Sequence, residues 1–286
     1  MAVSVYEIVT NKIIEKLENG TVPWQQSWSN ASFPRNITGR EYRGINVFLL
    51  GMQGYRSPYW LTWKQANAIG DGIKEDQRKQ YTIVIFWNMV KDKRDKDKVI
   101  PLLRYYRVWN YEQTVGVPEP VGGAFPNVAS ILKPDERHNA AQSIVDGFTD
   151  APTIQEAGDA AWYRPASDLV NVPPRGSFTN LDAFYSTLFH ELGHSTGAKK
   201  RLNRPMGTTF GSHAYGREEL VAEMVAAFLN AESGIEATMD NSAAYLRSWV
   251  KTISEDTRAV VVAAGQAQKA TDYILGRTPV NEPTED

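Results

Sequence analysis

The chain has 286 residues, 42% hydrophobic and 22% charged, which is enough for two ordinary domains or one large one with a real buried core. No apolar run approaches about eighteen residues and the first residues lack the basic and apolar blocks of a secretory leader, so no membrane span or signal peptide is expected. Cysteine is absent, which excludes disulfides, thiolate metal sites and cysteine nucleophiles and fits a reducing cytoplasm, while the net charge of −2 hides a contrast: residues 1–112 hold 17 Lys and Arg against 11 Asp and Glu, and the remainder is acidic.

In chain order, Val5, Val9, Ile13 and Leu17 recur at helical spacing and predict a helix over residues 5–19, stopped at Gly20. An irregular stretch follows, and residues 60–69 predict a short helix that ends at Gly70. The β-branched and aromatic run over 81–87 predicts a strand, the charged run 91–98 an exposed turn, and 99–109 the returning strand, with Pro101 holding its start to an edge. Residues 114–134, rich in Val, Pro and Gly without a period, read as a linker. Beyond it come a helix over 135–146, extended pieces at 153–154 and 168–172, and helices over 181–195, 217–231, 243–253 and 255–275, with Thr179 and Ser254 as candidate N-caps. Together these predict an α+β protein in two parts, 1–125 of mixed α/β character and 126–286 mostly helical with a small sheet.

The predicted helix over 181–195 carries His190-Glu191-Leu192-Gly193-His194. Residues four apart share a helix face, so His190 and His194 offer two imidazoles to one Zn2+, and Glu191 reaches a water on that ion as a base. A third protein ligand is required. The pattern that supplies it as a histidine after Gly197 fails here, because the position holds Lys200. His213 is available in a glycine-rich loop, but the stronger candidates are Glu219 and Glu223 on the next helix: one binds the ion and the other accepts from an imidazole, with Glu219 favoured. Glu218 reads as favouring the helix dipole. Tyr215 is a candidate donor to a developing oxyanion, or else a buried or capping tyrosine. The strand over 168–172 is either an ordinary edge strand or one that pairs with an extended substrate.

Six of the eight tryptophans precede residue 113, and Trp24, Trp28, Tyr42, Trp60 and Trp63 alternate with Arg35, Arg40, Arg43, Arg56 and Lys64. Flat rings stack on bases and cations follow phosphates, so this half is a candidate binder of single-stranded nucleic acid; the competing reading is that its tryptophans are core.

Several stretches carry a family resemblance. They are Ile13 to Gly20, Val22-Pro23-Trp24, Tyr42 to Asn46, Trp60 to Ala66 and Val108 to Gln113 in the first half, and Tyr185 to Gly197 and Glu218 to Glu223 in the second. In these pieces and their order the chain resembles the ArdC-type antirestriction proteins of plasmids and phages, and its N-terminal part is similar to that of TraC-type conjugative primases. The glycine-and-lysine pattern of the family after the Trp-Leu-Thr piece is kept only loosely over residues 73–79. The resemblance implies an N-terminal domain that binds single-stranded DNA and a C-terminal zincin-like metallopeptidase domain acting on a protein or peptide. It also implies protection of incoming mobile DNA from restriction in the cytoplasm of a bacterial host or recipient.

Overall fold

A computed structural model describes residues 4–25, 33–91, 99–120, 123, 132–206, 213–236 and 243–278. Helix α1, Val5–Glu18, starts at a capping box in which Ser4 and Glu7 satisfy each other's backbone N–H, and it buries Val9, Ile13 and Leu17. The first sheet has the order β1-β2-β5-β4, from Arg35–Asn36, Tyr59–Thr62, Val99–Asn110 and Thr82–Lys91. Strands β4 and β5 form the expected long hairpin, and the 92–98 turn lies outside the described residues. Strand β5 meets β2 only at Val108–Asn110, so around Pro101 it pairs with β4 alone, in keeping with a proline at a sheet margin.

The helix expected over 60–69 starts only at Trp63, and residues 60–62 are strand. Trp60, Leu61 and Thr62 pair with Asn110, Trp109 and Val108, and α3, Trp63–Ile69, begins where Thr62 and Gln65 close a capping box. On the far edge, Asn46 of α2, Ile45–Gly51, covers β4: its amide donates to the Ile85 carbonyl (2.8 Å) and accepts from the Ile85 N–H (2.7 Å). A buried side chain here replaces the missing neighbour strand. The linker region begins with a short pair, β3, Gly72–Ile73, against β6, Thr114–Val115.

The second half opens with α4, Pro134–Gly147, followed by a sheet of order β7-β9-β8, from Thr153–Glu156, Leu169–Val172 and Trp162–Arg164. Residues 168–172 were expected at an edge, but β9 is central, with β7 parallel on one side and β8 antiparallel on the other. The edges are β7 and β8, the latter a strand too short for the sequence to announce. Helices α5, Leu181–Ser195, α6, His213–Ser233, α7, Ala243–Glu255, and α8, Ala259–Ile274, complete the chain. Two expected caps fall elsewhere. Asn180, not Thr179, accepts the Ala183 N–H at α5, and Ser254 lies inside α7 while Arg258 precedes α8.

One core runs through both halves. Trp24 stands edge-on to Phe48 and Trp249, and Phe48 of α2 stacks on Phe228 of α6 with centroids 4.9 Å apart. Arg43 pairs with Asp272 on α8, whose neighbour Gln268 accepts the Gly44 N–H at the head of α2.

A polar clamp fixes β8 beside α5. Asp168, at a left-handed φ of 47°, binds the fully buried Arg201 side chain through both oxygens (2.7 and 2.9 Å) and accepts from the Tyr163 hydroxyl of β8 (2.8 Å). The Arg201 guanidinium, aided by Lys200 and Tyr163, outweighs burial and holds the Asp168 carboxyl well below the usual carboxylate range. A depressed folded pKa contributes stability that is complete above the unfolded value near 4 and lost as pH falls below it. Asn tolerates the same backbone, so Asp168→Asn tests the charge: it should lower stability at pH 7 by about 2 kcal/mol in urea titrations. It should also flatten the wild-type loss of stability between about pH 4 and pH 2.

Candidate metal centre

Helices α5 and α6 approach closely because Gly193 faces Ala222, where an added Cβ would sit 3.1 Å from the Ala222 Cα. Across this contact His190, His194 and Glu219 converge. The two Nε2 atoms are 3.1 Å apart, and Glu219 places one oxygen 3.6 Å from His190 Nε2 and the other 3.4 Å from His194 Nε2. Donor atoms bound tetrahedrally at zinc's usual 2.0–2.1 Å lie about 3.3 Å apart, close to the separations that the two Nε2 atoms and the two Glu219 oxygens already have.

The surroundings are anionic. Glu218 approaches His194 Nδ1 at 3.5 Å, Glu223 approaches His190 Nδ1 at 3.7 Å, and Glu191 is buried alongside. Arg204 brings a guanidinium here, holding Glu218 through two bonds of 3.0 and 2.6 Å and also donating to Thr196 Oγ1 and the Gly193 carbonyl. Burial disfavours charge on both imidazoles, but Glu219 at His190 and Glu218 with Glu219 at His194 more than offset it and raise both above the ordinary histidine range. Four carboxylates around two imidazoles and one guanidinium make a site that favours a cation, and carboxylates on the outer nitrogens fix the imidazoles with Nε2 inward.

Glu191 faces the site without joining the three converging donors. Burial raises its carboxyl pKa, opposed by the two histidines, and the Tyr163 backbone N–H at the free edge of β8 bonds to it. Tyr215, one turn before Glu219, is raised to about 12 by burial, then by the charge of Glu219 and a hydrogen bond to it. Glu218, expected to serve the helix dipole, sits in the second turn of α6 and bonds Arg204 and His194 instead. His213 opens α6 with its side chain outside the described residues, and Lys200 pairs with Asp168 at 2.8 Å, away from the donors.

In the first half the aromatic set divides. Trp24, Trp60 and Tyr42 are buried, so as placed these three offer no open face to a base. Trp28 lies outside the described residues. Arg35 pairs with Glu41, Arg43 with Asp272, and Arg40 lies over Phe86. Trp63 and Lys64 remain at the surface.

Residues 3–109 match the model of the N-terminal domain of anti-restriction factor ArdC, and residues 140–266 match that of a zincin-like metallopeptidase. The crystal structure of metal-free antirestriction protein ArdC from the R388 plasmid superposes with a TM-score of 0.76 at 32% identity, covering 95% of this chain and 97% of that one. The chain belongs to the ArdC-type antirestriction family. The Mn(II)-bound form of the R388 protein gives the same TM-score at 31% identity, covering 96% and 98% of the two chains. The y4eC protein of Sinorhizobium fredii is 32% identical, covering 94% of this chain and 91% of that protein. Two DNA primases TraC of Escherichia coli are 35% and 32% identical across 94% of this chain, which spans only 20% and 27% of their lengths. The α+β class and the zincin-like second half are thus as expected of an ArdC-type protein. Among the described residues no helix is long and apolar enough to cross a membrane.

For this ArdC-type centre, Glu223→Gln is expected to weaken metal binding by about 10- to 100-fold while leaving one ion per chain at saturation, measured by competition with a chromogenic chelator.

Proposed function

We propose that the protein is an antirestriction factor of a mobile element, acting in the bacterial cytoplasm. In this reading residues 1–125 engage single-stranded DNA, and residues 126–286 hold Zn2+ on His190, His194 and Glu219 for hydrolysis of a protein or peptide. The observation that carries the second half is the spacing of three inward donor atoms beside a buried carboxylate. Two imidazoles and one carboxylate are a zinc donor set, and such an ion supplies Lewis-acid polarisation and a more acidic water. Glu191, its carboxyl pKa raised by burial, serves as the proton acceptor, and the Tyr163 N–H orients it. Tyr215 stays protonated at neutral pH and serves as a hydrogen-bond donor to developing negative charge. The free edge of β8 offers backbone groups for an extended peptide next to Glu191.

Metal analysis of wild type beside His190→Ala and Glu219→Ala tests the site. One zinc per wild-type chain and loss in both variants is the expected result. Retention in Glu219→Ala would move the third ligand to Glu223 or His213, and a wild type that binds no metal after loading would remove the reading.

A further inference from the structure

The first half contains a cavity of about 510 Å3 between the start of α3, the turn before β4 and the end of β5. Its floor is Trp109, 5% exposed, whose indole N–H donates to the Gln77 carbonyl. Trp63 and Tyr81 stand edge-on to it, centroids 5.7 and 6.0 Å away, and are 43% and 36% exposed. Each has its own cation: the Arg78 guanidinium lies 5.8 Å from the Trp63 centroid, and that of Arg107 lies 4.5 Å from the Tyr81 centroid. Lys64 and Lys79 complete the rim, and among the described residues no Asp or Glu lines the cavity.

Large aromatics left in water and clustered cations without an acid among them are unfavourable alone and complementary to a ligand that is both flat and anionic. Nucleotides of a single strand are that ligand, since a duplex hides its base faces. We propose that this cavity is a base-stacking slot for single-stranded DNA, with a base against Trp63 and Tyr81 and the adjoining phosphates on Arg78 and Arg107. The proposal rests on the DNA-binding reading above and gives it a place among rings other than the buried Trp24, Trp60 and Tyr42.

Fluorescence anisotropy with the full chain tests it, using a dT oligonucleotide of about 12 nucleotides and an abasic strand of equal length. Wild type should bind dT about tenfold more tightly than the abasic strand. Trp63→Ala should lose about tenfold for dT and little for the abasic strand, with Trp63→Phe retaining most of the affinity. Arg78→Ala and Arg107→Ala should weaken both strands and each lower the salt slope by about 1. Because Trp63 is exposed, an unchanged melting temperature accompanies the expected result. If wild type binds dT but Trp63→Ala and Tyr81→Ala bind it equally well, the slot is wrong and the strand binds elsewhere. A cavity built for an acidic peptide would give that same outcome. If wild type binds neither strand at low salt, the DNA-binding reading falls and the slot falls with it.

Discussion

Glu191→Gln is expected to reduce peptide hydrolysis by about 10³- to 10⁴-fold, equivalent to about 4–5 kcal/mol of transition-state stabilisation, with metal content unchanged. Glutamine matches glutamate in shape, and its carbonyl oxygen still accepts the Tyr163 N–H, so the local structure persists. The amide cannot take up a proton, which is the role proposed for Glu191. His190, His194 and Glu219 are untouched, so the variant should bind zinc like wild type. A fluorogenic peptide library digested by both proteins, with zinc measured in parallel, provides the readout. Equal cleavage would remove Glu191 from the chemistry. If the variant still protects DNA from restriction in cells, proteolysis is not the source of that protection.

Arg204→Ala should destabilise the metal-free protein by about 3–5 kcal/mol, the effect of removing one member of a buried ion pair. Arg204 and Glu218 are 8% and 6% exposed, and their two parallel bonds tie the loop after α5 to the second turn of α6. Arg204 also donates to the Gly193 carbonyl, at the point where the two helices touch. Its loss leaves Glu218 buried with only His194 to answer its charge, so the imidazole shifts and zinc affinity falls by about 10- to 100-fold. Urea titrations of chelated protein and zinc competition measure the two effects. Combining Arg204→Ala with Glu218→Leu removes the stranded charge and should recover part of the stability. A single variant within about 1 kcal/mol of wild type would show that the clamp is dispensable.

The centre of the site was legible because its signal is local: two histidines one turn apart on an amphipathic helix, then a second helix with spaced glutamates. Arg204 was not. It lies in a loop with no periodicity, and its value comes from a carboxylate on another element. Strand β8 escaped for a related reason, since three residues make no alternation and only pairing with β9 defines them. Tryptophan counts marked the first half of the molecule but not which of its rings stay exposed. Trp60 and Trp63, three apart, end in opposite environments because a strand gives way to a helix at Thr62. Composition cannot report that change of direction.

Helix α6 carries Glu219 towards the two histidines and, about two and a half turns further on, Phe228 onto Phe48 in the other half. An ion that gripped Glu219 would therefore steady the wall on which the first half rests. Occupancy of the proposed metal centre and folding of the first half would then be linked quantities, each adding to the other's apparent stability. The same shared wall bears on inheritance. Cut between the halves, either fragment would expose Phe48 or Phe228, so the two are expected to move between genes as one cassette. A stretch amounting to a fifth of one E. coli TraC primase matches 94% of this chain.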